Sequence, residues 1–246
     1  MTAIPNIEDY ALIRDSRTAA LISKAGSIDW LCLPQFDSPS YFNRLLDHWR
    51  GGHFTIASVT PFSVRRTYRD TTAVLQTEFQ TGDGIVRVTD CMPVLPESEK
   101  SIRLFPFGSL LRCIEGLEGT VELDIVFKPR PDHGRLVPSF HRRDRTGYGV
   151  DLGNRLLYLA TDLALSMRPG ALEGRALVQA GSPHMLWCTY SEDAPAVYPL
   201  RFQIRTVPST ADCASESTAL GESHQRSKPP GGKSEDMKEG GIQEGT

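Results

Sequence analysis

The segment from Gly26 to Ser40, with the sequence GSIDWLCLPQFDSPS, contains the residue types in this chain that could do chemistry. It includes two carboxylates, Asp29 and Asp37, and two aromatic rings, Trp30 and Phe36. Two carboxylates can act as general acid and general base if the fold brings them together. Aromatic faces complement the C–H face of a sugar ring, although they more often fill a protein core. The segment is therefore the first candidate for a functional site.

Each of these residues also has a structural interpretation. Asp29 lies inside an apolar, strand-like stretch, and Asp37 precedes a Ser-Pro pair, where aspartate often accepts hydrogen bonds from the next backbone amides. Asp90 precedes Cys-Met-Pro and is interpreted as a turn former at the end of a strand. Turn formation is favoured for Asp37 and Asp90, and packing against apolar surface is favoured for Trp30 and Phe36.

Other polar clusters give weaker signals. His133, His141, Arg142 and Arg143 form a basic stretch, which is interpreted as a solvated loop rather than a phosphate site. The two histidines lack the close spacing of a metal pair, and the five cysteines form no C-x-x-C motif. Glycine-rich nucleotide motifs and the G-x-S-x-G motif do not occur. The sequence predicts no metal, no cofactor and no disulfide framework.

Composition restricts the possible partners of the chain. Its 246 residues carry a formal net charge of -3, which creates no basic field for nucleic acid or an anionic membrane. The N-terminus lacks the pattern of a secretory leader, and no apolar run approaches the roughly 18 residues of a membrane span. These features predict a soluble, cytoplasmic protein with no nucleic-acid or membrane partner.

The elements that must position the candidate site are predicted to be strands. Short apolar runs alternate with Gly, Pro and Asp, and a strand over residues 121–128 would place most of its apolar side chains on one face. Ala73–Gln80 and Ile85–Asp90 are predicted to form a hairpin, with two glycines supplying positive φ angles in the turn. The further predicted strands are Ala19–Ser23, Ile28–Leu33, His53–Ser58, Leu110–Ile114, Leu156–Ala160 and Met185–Tyr190. The predicted fold class is all-β, an antiparallel β-sandwich of two packed sheets.

One helix and one disordered segment complete the predicted organisation. Ser40–Trp49 has apolar residues at helical spacing and is predicted to form a short helix that ends at a Gly-Gly pair. Residues 208–246 contain no aromatic residue and are rich in Ser, Gly, Glu and Lys. Such a segment buries too little apolar surface to form a core. We therefore predict a sandwich domain over residues 1–206 and a disordered tail over residues 207–246.

Several motifs in one order resemble a known family. They are residues 7–13 with 17–22, the run 26–40, the strand end VRVTDCMP at 86–93, the segment FKPRPDHGR at 127–135, and LLYL at 156–159. Together they resemble the trehalase-like N-terminal domain of glucoamylase- and trehalase-like enzymes of glycoside hydrolase family 15, over about residues 6–200. In that family a supersandwich-like β-domain precedes a helical (α/α) catalytic barrel. The tail does not match the family pattern.

The resemblance implies a non-catalytic domain. The family places both catalytic carboxylates on the barrel, and this chain has no segment that would form one, so no catalytic residue is assigned here. The resemblance implies a truncated product with a structural, barrel-packing role. Its candidate barrel-facing or substrate-proximal loop contains Trp30, Pro34, Phe36, Asp37 and Ser38.

Two other functions stay open at this stage. One is a stand-alone carbohydrate-binding or interaction module, which an exposed Trp30 or Phe36 would favour. The other is one subunit of a split hydrolase that acts on trehalose or maltooligosaccharides. The expected partners are a catalytic barrel, a second copy of the chain through an uncovered apolar face, or an α-glucoside.

Overall fold

The computed structural model describes residues 5–94, 108–143 and 147–192, which form fifteen strands and one three-residue 3-10 helix, Ile7–Asp9. The strands are β1 (Tyr10–Arg14), β2 (Ala19–Ser23), β3 (Ser27–Cys32), β4 (Ser40–Phe42), β5 (His53–Ser58), β6 (Ser63–Tyr68), β7 (Leu75–Gln80), β8 (Gly84–Cys91), β9 (Ser109–Lys128), β10 (His141–Arg142), β11 (Gly147–Leu152), β12 (Arg155–Thr161), β13 (Ser166–Arg168), β14 (Ala171–Gln179) and β15 (Pro183–Ser191). The predicted all-β class is confirmed.

Two antiparallel sheets share the long strand β9. The first sheet has the order β1-β2-β3-β5-β9-β14-β13, with β4 beside the end of β3. The second has the order β6-β7-β8-β9-β15-β12-β11-β10. β9 passes from one sheet to the other near Gly119, whose φ of 58° and close approach to the Asp83 carbonyl suit a residue without a Cβ. The sheets are therefore covalently continuous through a single strand.

The core lies between the two sheets. β9 alternates as predicted, with Val121, Leu123, Ile125 and Phe127 buried and their neighbours less so. Apolar side chains from the second sheet, such as Val88 on β8, join the same cluster. Burial of each large apolar side chain contributes about 1.5–3 kcal/mol, so this shared core is the main source of stability.

A buried ion pair ties the two sheets together. Arg112 on β9 and Asp90 on β8 are fully enclosed, with Nε and Oδ1 2.7 Å apart. The same guanidinium donates to the carbonyl of Phe54 on β5 of the first sheet, at 2.6 Å, and to that of Gly26 in the turn before β3, at 2.9 Å. It also lies 4.9 Å from the centre of the Phe54 ring. The interpretation of Asp90 as a turn former is therefore wrong, because its carboxylate points into the core.

The predicted hairpin is confirmed, although its turn works differently. β7 pairs with β8 from Leu75 opposite Asp90 to Gln80 opposite Ile85. Neither Gly82 nor Gly84 has a positive φ. Instead, the Thr81 hydroxyl accepts the amides of Asp83 and Gly84, each at 3.2 Å. A threonine side chain thus closes the turn.

The predicted helix Ser40–Trp49 is wrong. Ser40–Phe42 forms β4, and the following residues form successive turns. The Asn43 side chain accepts the amide of Gly52, and the Asp47 carboxylate accepts the amides of Trp49 and Arg50. Short polar side chains that bind nearby backbone amides compete with helix formation, and here they prevail. The disorder predicted for residues 207–246 lies outside the described residues.

We expect the substitution Arg112→Met to lower the free energy of unfolding by about 3–5 kcal/mol, because it leaves the Asp90 carboxylate buried without a counter-charge. The matched control is Arg87→Met, which removes a partly exposed ion pair with Glu78 on the same sheet. That loss is expected to stay below about 1 kcal/mol. Urea denaturation measures both, and equal losses would contradict a central role for Arg112.

Candidate functional site

The predicted site residues lie at one end of the first sheet. β3 and β9 end there, and β5 and β14, which run antiparallel to β9, begin there. Three loops meet at this place: residues 33–39, 43–52 and 129–140, together with the turn at 169–170. We call this set of loops the loop end.

The first of these loops holds the predicted turn, which Ser38 rather than Asp37 stabilises. The Gln35 amide donates to the Ser38 hydroxyl at 3.2 Å, and the Ser38 amide donates to the Gln35 carbonyl at 3.1 Å. Pro34 is partly buried at the start of this turn, after a cis peptide bond. Asp37 is exposed, and its carboxylate accepts no hydrogen bond from the described residues. Ser38, and not Asp37, therefore provides the side-chain hydrogen bond that closes the turn.

The two aromatic residues of the predicted site lie in different environments. Trp30 is half-buried on β3, opposite Leu21 of β2. Phe36 is 75% exposed at the tip of the loop, where its amide is bonded to the Arg17 carbonyl. The Phe36 ring thus has no place in the sandwich core and is available to another surface.

The other loops at this end also carry exposed apolar side chains. Leu46 is 75% exposed and Trp49 is 78% exposed, both on the loop 43–52. Leu136 and Val137 on the loop 129–140, and Met167 beside the turn at 169–170, are also exposed. Five of the eleven large hydrophobic residues exposed in the described part of the chain therefore occur at the loop end, and Met167 lies next to it on β13. Sequence reasoning found only Phe36, because it assigned Leu46 and Trp49 to the inner face of a helix.

The two aspartates of the predicted segment do not form a catalytic pair. Asp29 is fully buried and accepts hydrogen bonds from the hydroxyls of Tyr10, at 2.8 Å, and Ser27, at 2.6 Å. Arg44 places its Nε 3.1 Å from the same carboxylate, too obliquely for a hydrogen bond. Burial and the hydrogen bond to Asp29 raise the pKa of Tyr10 well above its usual value, so Tyr10 stays a donor. Asp29 is thus committed to the fold.

Several basic side chains lie near one another at the start of β5 and the end of β9. His53 begins β5 directly opposite Lys128 of β9, and Arg130 follows two residues later. Burial, followed by repulsion from Arg44 and Lys128, lowers the pKa of His53 to about 3. The Gly51 carbonyl opposes this shift only in part. His53 is therefore neutral in the folded protein at ordinary pH.

The described residues contain no group of three His, Cys, Asp or Glu side chains placed to hold a metal ion. The four cysteines within the described ranges, Cys32, Cys91, Cys113 and Cys188, are buried thiols that form no disulfide with one another. No helix in the same ranges is long and apolar enough to cross a membrane.

The two antiparallel sheets that share β9, with loops gathered at one end of the first sheet, define an all-β domain. Residues 2–157 match the family described as trehalase-like, N-terminal, and this chain belongs to that family.

The curated relatives are trehalases. The trehalase of Thermoplasma volcanium is 30% identical over 189 residues, which are 76% of this chain and 29% of the relative. The trehalase of Mycobacterium tuberculosis is 29% identical over 210 residues, covering 78% of this chain and 31% of the relative. Trehalase 2 of Sulfolobus acidocaldarius is 40% identical over 126 residues, which are 51% of this chain and 19% of the relative. The chain thus spans less than a third of the length of these relatives.

We expect the pH dependence of stability to depend on His53. An unfolded histidine takes up a proton below pH 6.5, whereas folded His53 stays neutral down to about 3. The unfolded state therefore binds more protons in this window, and the free energy of unfolding falls as the pH falls through it, by up to about 1.4 kcal/mol per unit. Urea titrations of the wild type and of His53→Gln between pH 7 and pH 4 should show a shallower decline for the variant. Parallel curves would show that His53 does not carry this linkage.

Proposed function

We propose that residues 1–206 are the N-terminal β-sandwich domain of a trehalase-like α-glucoside hydrolase of glycoside hydrolase family 15. The domain is non-catalytic, and its role is to pack its loop end against the catalytic part of the enzyme. The observation that carries this proposal is the match of residues 2–157 to the trehalase-like N-terminal family.

The state of the carboxylates supports a non-catalytic role. Glycoside hydrolysis generally needs two carboxyl groups facing one bond, about 5–5.5 Å apart in retaining enzymes and about 6.5–9.5 Å apart in inverting ones. Asp29 is held by Tyr10 and Ser27, and Asp90 is held by Arg112. These two buried carboxylates are engaged in the fold, which leaves them unsuited to proton transfer with a substrate.

The exposed apolar surface of the loop end supports packing against a second unit. Phe36, Leu46 and Trp49 are each at least 75% exposed. Clusters of exposed apolar residues commonly mark a protein interface, whereas single exposed residues are normal. The relatives are more than three times as long as the part that matches this chain, so they contain ample chain to cover such a surface.

We expect the purified chain to release no glucose from trehalose or maltooligosaccharides. A coupled glucose assay would compare three samples: this chain alone, the part of the Thermoplasma volcanium trehalase that does not match this chain, and a mixture of the two. Glucose release by the chain alone would overturn the non-catalytic assignment. Release that rises on mixing would support a packing role and would also suit the split-enzyme alternative.

We expect the isolated chain to self-associate through the loop end. Combined substitution of Phe36, Leu46 and Trp49 by serine should shift the weight-average mass in light scattering toward that of the monomer. The control is Leu177→Ser, which removes a 64% exposed leucine opposite Glu122, toward the other end of the sheet. A monomeric wild-type chain, or equal effects of both variants, would contradict this use of the loop end.

The second candidate function is a carbohydrate-binding module. The exposed ring of Phe36 favours it, because such a ring can stack on a sugar. Phe36→Ser would abolish sugar binding if this were the main function, whereas the packing role predicts that sugar binding does not depend on Phe36.

A further inference from the structure

A cavity of about 330 Å³ opens at the loop end, between residues 40–51 and 133–135. Its volume lies at the lower end of the range of small-molecule sites, about 300–1,000 Å³. Leu46 supplies an apolar wall, and the remaining side chains are mostly polar. The cavity does not include Phe36 or the other residues of the predicted site.

The floor of the cavity is a fixed chain of hydrogen bonds. Ser40 is fully buried, and Asn43 is 5% exposed. The Asn43 side-chain nitrogen donates to the Ser40 hydroxyl oxygen at 3.2 Å, and that oxygen lies 3.3 Å from Nδ1 of His133. Either the Ser40 hydroxyl or Nδ1 of His133 can be the donor in this contact. When the hydroxyl donates to Nδ1, the ring carries a proton on Nε2 and can donate from that atom.

The rim of the cavity carries charged side chains that could make further hydrogen bonds to a ligand. The Arg50 guanidinium has no hydrogen-bond or ion-pair acceptor among the described residues, and the one partner of the Arg135 guanidinium there is Asp132, at 3.7 Å. Asp47 uses Oδ1 to accept the amides of Arg50 and Trp49, which lower its pKa. Its second oxygen remains an acceptor. The rim therefore presents donors and an acceptor together.

The backbone holds His133 in an unusual conformation. Asp132, His133 and Gly134 have φ angles of 54°, 55° and 85°, so two side-chain-bearing residues in succession are left-handed. The Gly134 amide, bonded to the Arg130 carbonyl at 3.0 Å, and the His133 amide, 3.4 Å from the Ser40 carbonyl, fix this loop. Sparsely populated backbone conformations persist where the surroundings impose them, and they cluster at ligand sites.

We propose that this cavity binds a sugar unit of an α-glucoside. Arg50, Arg135 and Nε2 of His133 donate to sugar oxygens, the free oxygen of Asp47 accepts from a sugar hydroxyl, and Leu46 covers a C–H face. A phosphate or carboxylate ligand fits less well, because it would accept from the same donors but face the negative charge of Asp47. The choice of an α-glucoside rests on the proposed function, whereas binding in the cavity does not require the packing role of the loop end.

The test is a titration of the full-length chain with trehalose, with methyl α-glucoside and, separately, with inorganic phosphate, followed by amide NMR. The amides of Gly51 and Gly134 line the cavity and serve as reporters. We expect saturable shifts of both amides with the two sugars. No shift with either sugar, or shifts with phosphate alone, would overturn the proposal, and neither result would bear on the glucose assay that tests the non-catalytic role.

Two substitutions distinguish a sugar site from an anion site. Arg50→Ala should weaken trehalose binding roughly tenfold to a hundredfold, since a hydrogen bond from a charged group contributes about 1.5–3 kcal/mol. Asp47→Asn keeps an oxygen for the two backbone amides but removes the charge, so it should weaken sugar binding and strengthen any phosphate binding. Arg168→Ala, at the same end of the sheet but outside the cavity, is the control. Unchanged trehalose affinity in Arg50→Ala, with its spectrum showing an intact fold, would place the ligand elsewhere.

Discussion

The ion pair between Arg112 and Asp90 is the interaction on which the two-sheet arrangement depends. A guanidinium with no access to water must direct its donors to protein acceptors, and here it uses one carboxylate and two carbonyls. The carboxylate belongs to the second sheet, and the carbonyls belong to Phe54 in the first sheet and to Gly26 in the turn that joins two strands of that sheet. The Gly26 carbonyl also accepts the Ile56 amide, so the guanidinium joins an existing backbone contact. These directional hydrogen bonds join the two sheets in addition to the apolar packing of the shared core.

The fixed position of the sheets determines where the loops meet. β9 pairs with strands of both sheets. The register of these pairings therefore determines where each neighbouring strand begins and ends. The loop 43–52 is held by two contacts to Asp29 of β3. Arg44 lies against the Asp29 carboxylate, and the Leu45 amide donates to the Asp29 carbonyl. The exposed apolar residues and the cavity thus rest on a rigid base, which is the condition for a specific surface.

The sequence predicted those parts of the fold that follow from local alternation. Ala19–Ser23 and His53–Ser58 were predicted with their observed bounds, because each is a short run with clear turn signals on both sides. β14 was not predicted, since Gly174 and Arg175 interrupt its apolar pattern. Arg112 lies on the same strand face as Leu110 and Ile114, and that position could have marked it as buried. Its pairing with Asp90 follows from register between strands, which composition does not contain.

The candidate site was harder to predict than the fold for a related reason. The loop 43–52 has apolar residues at helical spacing, yet its Asn43 and Asp47 side chains satisfy backbone amides locally and turn Leu46 and Trp49 outward. The same turns bring Arg50 and Asp47 beside His133, which is far away in sequence. Exposed apolar groups cost solubility without improving the core, whereas the exposed charged groups beside them are hydrated. The concentration of exposed apolar groups at one end of an otherwise well-packed domain is therefore the physical basis for proposing a contact there.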